Sequence, residues 1–328
     1  MTVKQGRILV IRGGAIGDFI LTLPAIASLR QRFPAAHLEL LGYPHIAQLA
    51  LAGGLVDRVQ AIEARGLAGF FARNGDLAED LCDYFSEFDL IISYLYDPDG
   101  IFQTNIARCS TAQFIAGPHR PDERAGIHAT HVFLKPLERL AIFDADPVPR
   151  LSVQKSPAAV HPLALHPGSG SERKNWPEAN WAALLAWLTD ATSLGLLLVG
   201  GEAEGERLQH LAASVRPSRR EVCQSRPLTE LAGRLQDCVA FVGHDSGITH
   251  LAAALGVPTL VLWADTAEAV WRPQGPRVVL VRDAAGLRAL SVARVREELT
   301  RLLRSVATAA TEAGKQAGNN GGPGRVVS

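Results

Sequence analysis

The sequence has no excess of charge of either sign, few cysteines and no long hydrophobic run. Its 33 basic residues balance 33 acidic residues, so no overall field favours nucleic acid or an anionic surface as a partner. The four cysteines, Cys82, Cys109, Cys223 and Cys238, are widely spaced and form no Cys-x-x-Cys pair. This pattern is typical of structural thiols in a reducing compartment.

No window approaches the roughly eighteen uninterrupted apolar residues that a membrane span needs. The residues before the strand-like run Arg7 to Arg12 contain no apolar core of a signal peptide. The sequence therefore predicts a cytoplasmic protein. Because the net charge is zero, any phosphate-binding site must depend on nearby residues and not on the charge of the whole chain.

Short β-branched runs alternate with helical patterns in both halves of the chain, which predicts two α/β units with parallel sheets. Between the halves, residues 144–162 contain four prolines and little apolar periodicity, as interdomain linkers do. We expect an N-terminal domain over residues 1–157 and a C-terminal domain over residues 158–304. Residues 305–328, rich in Ala, Thr, Gly and Asn, are expected to form a disordered tail.

A glycine-rich turn follows the first predicted strand and ends at Asp18. Gly13, Gly14 and Gly17 do not match the Gly-x-Gly-x-x-Gly fingerprint of dinucleotide-binding enzymes, which argues against an oxidoreductase. An acid near a helix N-terminus is held ionised by the helix dipole and backbone donors. Asp18 is therefore either a proton acceptor or an ordinary helix cap.

A second turn, residues 165–177, joins a strand to a helix that Pro177 begins. Gly168 and Gly170 allow close backbone approach, and the hydroxyls of Ser169 and Ser171 add donors. Lys174 or Arg173 supplies the positive charge that a diphosphate site requires. The loop lacks the Gly-Lys-Ser/Thr ending of a Walker motif. The alternative interpretation is a flexible surface turn with solvated basic residues.

A third turn joins the strand near residues 239–242 to another helix. Asp245 is suited to accept sugar or ribose hydroxyls, and the amides of Ser246 and Gly247 lie at a helix N-terminus. His250 follows one helical turn later. Each of these residues also has a plain structural interpretation, as an N-cap or a core histidine.

Metal and serine-nucleophile chemistry have little support in the sequence. The spacing of His244 and His250 matches no zinc motif, and Asp97 with Asp99 forms an isolated Asp-x-Asp of a kind common in turns. No Gly-x-Ser-x-Gly elbow follows a strand. We therefore expect no metal and no cofactor.

The three turns together resemble glycosyltransferase family 9, the ADP-heptose:lipopolysaccharide heptosyltransferase family. The resemblance covers residues 7–300, with the motifs in the order and separation of that family. Its motifs are Arg12-Gly13-Gly14-Ala15-Ile16-Gly17-Asp18, then His166-Pro167-Gly168-Ser169 with Lys174-Asn175-Trp176-Pro177, then Gly243-His244-Asp245-Ser246-Gly247 with His250. Two positions depart from the family pattern: Gly14, where many members have Ser or Thr, and Leu21, where lipopolysaccharide heptosyltransferases often have His.

The resemblance implies a GT-B architecture, in which two Rossmann-like domains face each other across a cleft, and transfer with inversion at the anomeric carbon. Asp18 corresponds to the family's proposed base, and Lys174 to the cation that offsets charge on the leaving diphosphate. The donor-binding set comprises Gly168, Ser169, Ser171, Glu204, Asp245, Ser246, Gly247 and His250, and the acceptor-side turn comprises Gly13, Gly14 and Gly17. Glu204 is the candidate ribose ligand, with Glu202 and Glu206 close alternatives.

The implied partners are a nucleoside-diphosphate sugar, in the first place ADP-heptose, and a glycan or glycolipid acceptor such as lipopolysaccharide core. A glycolipid acceptor implies peripheral contact with the inner membrane, for which the stretch Phe70 to Arg73 is a candidate. The alternatives on the same fold are a non-catalytic sugar-nucleotide-binding protein and a sugar-nucleotide epimerase. The transferase hypothesis makes a positional prediction: Asp18 faces Lys174 and Asp245 across one interdomain cleft.

Overall fold

The computed structural model describes residues 5–154 and 161–319, which form two parallel-sheet α/β domains. The N-terminal sheet consists of β1 (Arg7–Arg12), β2 (His37–Gly42), β3 (Arg58–Ala61), β4 (Leu90–Ser93) and β5 (Gln113–Ala116). Its helices are α1 (Ile16–Arg32), α2 (Pro44–Ala52), α3 (Glu79–Ser86), α4 (Ile101–Ile106) and α5 (Ala129–Leu134). Short 3₁₀ turns connect several of these elements.

The C-terminal domain has the larger sheet. Its strands are β6 (Leu163–His166), β7 (Leu196–Gly200), β8 (Arg220–Gln224), β9 (Ala240–His244), β10 (Thr259–Leu262) and β11 (Val278–Val281). Its helices are α6 (Glu178–Ala191), α7 (Gly205–Ala213), α8 (Leu228–Gln236), α9 (Gly247–Ala254), α10 (Glu268–Trp271) and α11 (Val292–Asn319).

The central strands are buried along nearly their whole length, because helices cover both faces of each parallel sheet. Helix α6 begins after Pro177, and its buried residues are the ones that the helical spacing predicts, namely Trp181, Leu184, Leu185 and Leu188. The expected α/β alternation in both halves is confirmed.

The strand orders are β3-β2-β1-β4-β5 and β11-β10-β9-β6-β7-β8, and every pairing is parallel. The order reverses between β1 and β4 in the first sheet and between β6 and β9 in the second. Loops that leave the carboxyl ends of strands at such a reversal diverge and leave a crevice, which is where open α/β sheets bind ligands. Asp18, Lys174 and Asp245 lie in the segments that directly follow β1, β6 and β9.

Helices α1 and α2 of the first domain pack on α9 and α8 of the second. A continuous cluster of buried apolar side chains runs through this contact, including Phe19 and Ile20 on one side and Leu251 on the other. The connecting segment runs against the second domain, where the Leu151 amide donates to the Ala254 carbonyl at 2.9 Å. The domain boundary expected at residue 157 lies outside the described residues.

Helix α11 packs on the second domain through the buried residues Val295, Leu299 and Leu302. It continues to Asn319, whereas the sequence analysis expects a tail without structure from residue 305. Residues 305–319 contain several alanines, which have the highest intrinsic helix propensity. The helix that the apolar contacts of its first turns anchor can therefore continue through them. Residues 320–328 lie outside the described part of the chain.

No helix within residues 5–154 and 161–319 is long and apolar enough to cross a membrane. Cys223 and Cys238 are buried, Cys82 and Cys109 are half-buried, and all four are free thiols. Burial raises the pKa of Cys238 to about 12, so this thiol stays protonated, as a structural cysteine does.

Candidate functional site

A cavity of about 800 Å³ lies between the two domains, at the carboxyl ends of the strands. It brings together most of the side chains that the sequence singles out. Its walls include Gly13, Gly14, Gly17 and Asp18 from the first domain and Ser169, Lys174, Asp245, Ser246, Gly247 and His250 from the second. Asp18 therefore faces Lys174 and Asp245 across one interdomain cleft, as the positional prediction states.

Asp18 lies in the first turn of α1, where its charge is favoured by the positive end of the helix dipole. Ala15 is the N-cap residue, so Asp18 is not the cap that the structural alternative proposes. The Asp18 side chain is 29% exposed, and its Oδ1 lies 3.8 Å from the Arg12 guanidinium. A partly exposed carboxylate in this position is available to a ligand.

Arg12 begins the first motif, but the sequence analysis assigns it no role in the site. It is the last residue of β1 and only 3% exposed. Its guanidinium donates to the carbonyl oxygens of Tyr94, His119 and Asp18, and it lies over the Phe133 ring. Burial lowers its pKa, and the negative charge of Asp18 opposes that shift. The available signal was a charged residue at the end of a buried strand.

Lys174 and Asp245 form a close ion pair on the other wall. The Lys174 Nζ donates to Asp245 Oδ2 at 2.7 Å, and the Thr266 hydroxyl donates to the same oxygen at 2.7 Å. Asp245 is 7% exposed, whereas 35% of the Lys174 side chain is exposed. The carboxylate thus positions the ammonium group, which keeps donors free to reach an anion in the cavity.

The 168–176 loop is held by hydrogen bonds between its own residues and by hydrogen bonds to strand β9. The Ser169 hydroxyl donates to Asn175 Oδ1 at 2.7 Å, and Asn175 is itself nearly buried. The last residue of β9, His244, accepts from the Trp176 amide at 2.9 Å and contacts the Gly168 carbonyl at 3.2 Å. The loop is therefore a fixed part of the domain rather than a flexible surface turn.

Ser171 and Gly168 do not line the interdomain cavity. Ser171 is exposed, and the described contact of its amide is with the Ser169 hydroxyl. Gly168 is needed for a different reason than approach to a ligand. A Cβ at Gly168 would lie 2.2 Å from Cγ of Glu204, so only glycine leaves room for that buried side chain.

A second cavity, of about 430 Å³, adjoins the first. The two share the wall formed by Ala15, Gly17, Ser169, Ser246 and Gly247. The rest of its lining is largely apolar, with Glu202, Glu204 and Arg226 among its polar residues. Glu204 is 9% exposed, and its Oε2 accepts from the Gly201 amide at 2.9 Å. Of the three glutamates considered for ribose binding, Glu202 and Glu204 line this cavity and Glu206 does not.

Three histidines near the cavities are buried and uncharged at neutral pH. Burial lowers the pKa of His166, His244 and His250 to about 4 each. His250 contributes to the wall of the larger cavity, while His166 contributes to the wall of the smaller one. A neutral imidazole can accept a hydrogen bond as well as donate one, so His250 can contact either a donor or an acceptor group of a ligand.

The N-termini of α1 and α9 meet directly below the cavity. A Cβ at Gly247 would lie 2.7 Å from Cβ of Ile16 and 2.9 Å from the Gly17 amide nitrogen, well inside van der Waals contact. The two domains can therefore approach this closely here because Gly247 has no side chain. Two helix N-termini, one from each domain, both present their positive ends to the same space.

The rim of the cavity contains a polar link between the domains. Glu123 accepts from the Trp271 indole at 2.9 Å and from Arg120 at 2.8 Å. These hydrogen bonds lower the pKa of Glu123, the one from Trp271 contributing most. The Arg120 guanidinium also lies over the Trp271 ring. No sequence pattern predicts this link, since Trp271 lies 148 residues from Glu123 along the chain.

The stretch proposed for membrane contact divides between the core and the cavity. Phe70 is fully buried, whereas Phe71 is 46% exposed, stacks on Phe102 and lines the interdomain cavity.

Asp97, from the isolated Asp-x-Asp, accepts from the amides of Phe102 and Gln103 at the start of α4. Within the described residues, no group of three or more His, Cys, Asp or Glu side chains is arranged to hold a metal ion.

Comparison with known proteins agrees with the motifs. Residues 144–294 match the family model of glycosyltransferase family 9 (heptosyltransferase). The chain is 24% identical to lipopolysaccharide heptosyltransferase 3 of Escherichia coli K12 over 298 residues, which are 80% of this chain and 84% of the relative. The resemblance to family 9 is thereby confirmed, and the chain is heptosyltransferase-like.

Two solved structures show the same fold. ADP-heptose LPS heptosyltransferase II of E. coli superposes with a TM-score of 0.74 at 18% identity, over 91% of this chain and 99% of that one. An E. coli heptosyltransferase solved with ADP superposes with a TM-score of 0.69 at 19% identity, over 90% of this chain and 99% of that one. These likenesses confirm the GT-B architecture.

Proposed function

We propose that this family 9 glycosyltransferase moves heptose from ADP-heptose to a glycan or glycolipid acceptor, such as lipopolysaccharide core, with inversion at the anomeric carbon. The observation that carries the proposal is the common cavity of Asp18, Lys174 and Asp245. A carboxylate on one domain and a cation on the other, separated by open space, match the base and the leaving-group contact that inverting transfer needs.

The donor would occupy both cavities. Its diphosphate would lie against their shared wall, where Ser169, Ser246 and Gly247 are available and Lys174 is adjacent. The N-terminus of α9 favours negative charge at this wall. The nucleoside would enter the smaller, largely apolar cavity, where Glu204 or Glu202 would accept from ribose hydroxyls. ADP in a structure of the same fold supports an adenine nucleotide.

The acceptor would approach from the first domain, past Gly13, Gly14 and Gly17. Asp18 would remove the proton of the attacking hydroxyl as its oxygen bonds to the anomeric carbon. The bond from that carbon to the diphosphate oxygen breaks, and its electron pair leaves with ADP. Lys174 and the α9 dipole would stabilise the charge that develops on the leaving group, an effect on the order of a few kcal/mol.

The partners follow from this chemistry. The protein would bind a nucleotide sugar and a glycan acceptor, would need no nucleic acid, and would contact the inner membrane peripherally if the acceptor is a glycolipid. The exposed ring of Phe71 faces the cavity, so it would contact the acceptor sugar rather than act mainly as a membrane anchor. No metal ion takes part in the steps proposed for these residues.

The decisive test measures transfer and binding on the same variant. Asp18→Asn should abolish ADP release in the presence of ADP-heptose and an acceptor, while calorimetry with ADP gives an affinity close to that of the wild type. Asp99→Asn, a surface carboxylate of the same domain paired with Arg73, is the matched control and should keep full transfer. Equal loss of transfer and of ADP affinity in Asp18→Asn would make Asp18 structural.

The same assay separates the alternatives. A sugar-nucleotide-binding protein would leave ADP-heptose intact with or without an acceptor, and an epimerase would convert it with no acceptor present. Hydrolysis or transfer that depends on Asp18 supports the transferase. Replacing ADP by UDP or GDP in the calorimetry identifies the base that the smaller cavity accepts.

A further inference from the structure

His244 is a fully buried histidine that the proposed chemistry does not use. It is the last residue of β9 and lies directly before Asp245 in the chain. Its ring packs edge-on against Trp181, with ring centroids 5.5 Å apart. It lines neither of the two cavities, so any effect on the donor must pass through other residues.

Both ring nitrogens of His244 are bonded to the backbone of the neighbouring loop. The Trp176 amide donates to Nε2 at 2.9 Å, so Nε2 has no proton. Nδ1 therefore has the proton of the neutral ring and donates to the Gly168 carbonyl at 3.2 Å. Burial lowers the pKa of His244 to about 4, which keeps this tautomer uncharged throughout the neutral range.

The two bonded residues, Gly168 and Trp176, bracket the loop that contains Ser169 and Lys174. Trp176 is itself anchored, since its indole donates to the Leu290 carbonyl at 2.8 Å. The residue after His244, Asp245, holds the Lys174 ammonium at 2.7 Å. Two adjacent residues at the end of β9 thus hold the loop: His244 holds its backbone and Asp245 holds its Lys174 ammonium.

We propose that His244 is a positioning residue, which ties both ends of the 168–176 loop to strand β9 and so places Lys174 for a nucleoside diphosphate. The inference rests on the proposed function for the identity of that anion. A loop that is already held in place does not lose conformational entropy when the donor binds. Without the His244 bonds, that entropy loss would reduce the affinity for the donor.

The first experiment compares ADP with adenosine on matched variants. His244→Phe keeps the ring and its packing on Trp181 but loses both hydrogen bonds. We expect its ADP affinity to fall on the order of tenfold, as two lost hydrogen bonds predict. Adenosine affinity should fall far less, because only Ser169 and Gly170 of the loop line the smaller cavity, whereas Lys174 would contact the phosphates. Equal loss for both ligands, or no loss for ADP, would overturn the proposal.

Two conservative variants refine the test and guard against misfolding. His244→Gln can offer an acceptor near the Nε2 position to the Trp176 amide, and His244→Asn can offer a donor near the Nδ1 position to the Gly168 carbonyl. Each should recover part of the ADP affinity that His244→Phe loses. If both behave like His244→Phe while all three melt at the wild-type temperature, the bonds to the loop are not what matters.

Hydrogen exchange tests the inference without any ligand. The Trp176 amide should exchange roughly tenfold faster in His244→Phe than in the wild type, since its acceptor is lost. The amides of β1 serve as the control and should not change. Unchanged exchange at Trp176 would refute the positioning role. Wild-type protein that binds no nucleoside diphosphate, with exchange altered as expected, would instead refute the proposed function.

Discussion

Adding one methyl group at Gly247 should disable the enzyme by pushing the two domains apart. The new Cβ would lie 2.7 Å from Cβ of Ile16, whereas carbon atoms in contact lie about 3.5–4.0 Å apart. Neither Cβ of Ile16 nor the Gly17 nitrogen can move without its helix. The N-termini of α1 and α9 must therefore separate by about 1 Å, and a displacement of that size costs on the order of a hundredfold in rate.

The assay is steady-state transfer with ADP-heptose and an acceptor, together with thermal unfolding of the same samples. Gly247→Ala should lower kcat on the order of a hundredfold, and the overpacked contact should also lower the free energy of unfolding by about 1–3 kcal/mol. Gly17→Ala is the graded comparison: its Cβ would lie 3.5 Å from His250 Cδ2, an ordinary contact, so a far smaller loss is expected. Wild-type turnover in Gly247→Ala would refute this account of the domain contact.

Two further predictions concern charge in the site. Lys174→Met should weaken ADP binding roughly tenfold to a hundredfold, the value of a charge-assisted hydrogen bond, and calorimetry that gives wild-type affinity would exclude Lys174 as the phosphate contact. Stability should be full above about pH 6.5 and fall towards pH 4, because the unfolded chain binds protons that the buried histidines exclude. Urea unfolding at several pH values checks this, and His166→Gln should reduce the dependence of the free energy of unfolding on pH. The histidines concerned are His166, His244 and His250.

The fold and the two facing walls of the larger cavity could be predicted from the sequence because their signals are local. A buried strand, a glycine or polar turn and a helix start are adjacent in the chain, and parallel sheets bring the carboxyl ends of strands to one edge. Asp18, Lys174 and Asp245 each follow such a strand. Their meeting in one cavity needed only the further assumption that the domains face each other.

The residues that the sequence did not reveal act through long-range contacts. Arg12 contacts the carbonyls of Tyr94 and His119, far away in the chain, and the Glu123 link to Trp271 joins different domains. No periodicity encodes such pairs. The sequence analysis expects both Ser169 and Ser171 at the phosphates. In the structure Ser169 lines both cavities, whereas Ser171 lines neither, a difference that depends on the loop geometry.

The close approach of α1 to α9 at Gly247 also bears on protein engineering. A chimera that joins the N-terminal domain of this chain to the C-terminal domain of a relative, or the reverse, must match the surfaces of these two helix ends. A half with any side chain at the position of Gly247 would not seat against Ile16 of this chain. Swaps between relatives that both have glycine there should assemble a working cleft, which would make acceptor and donor preference separable modules.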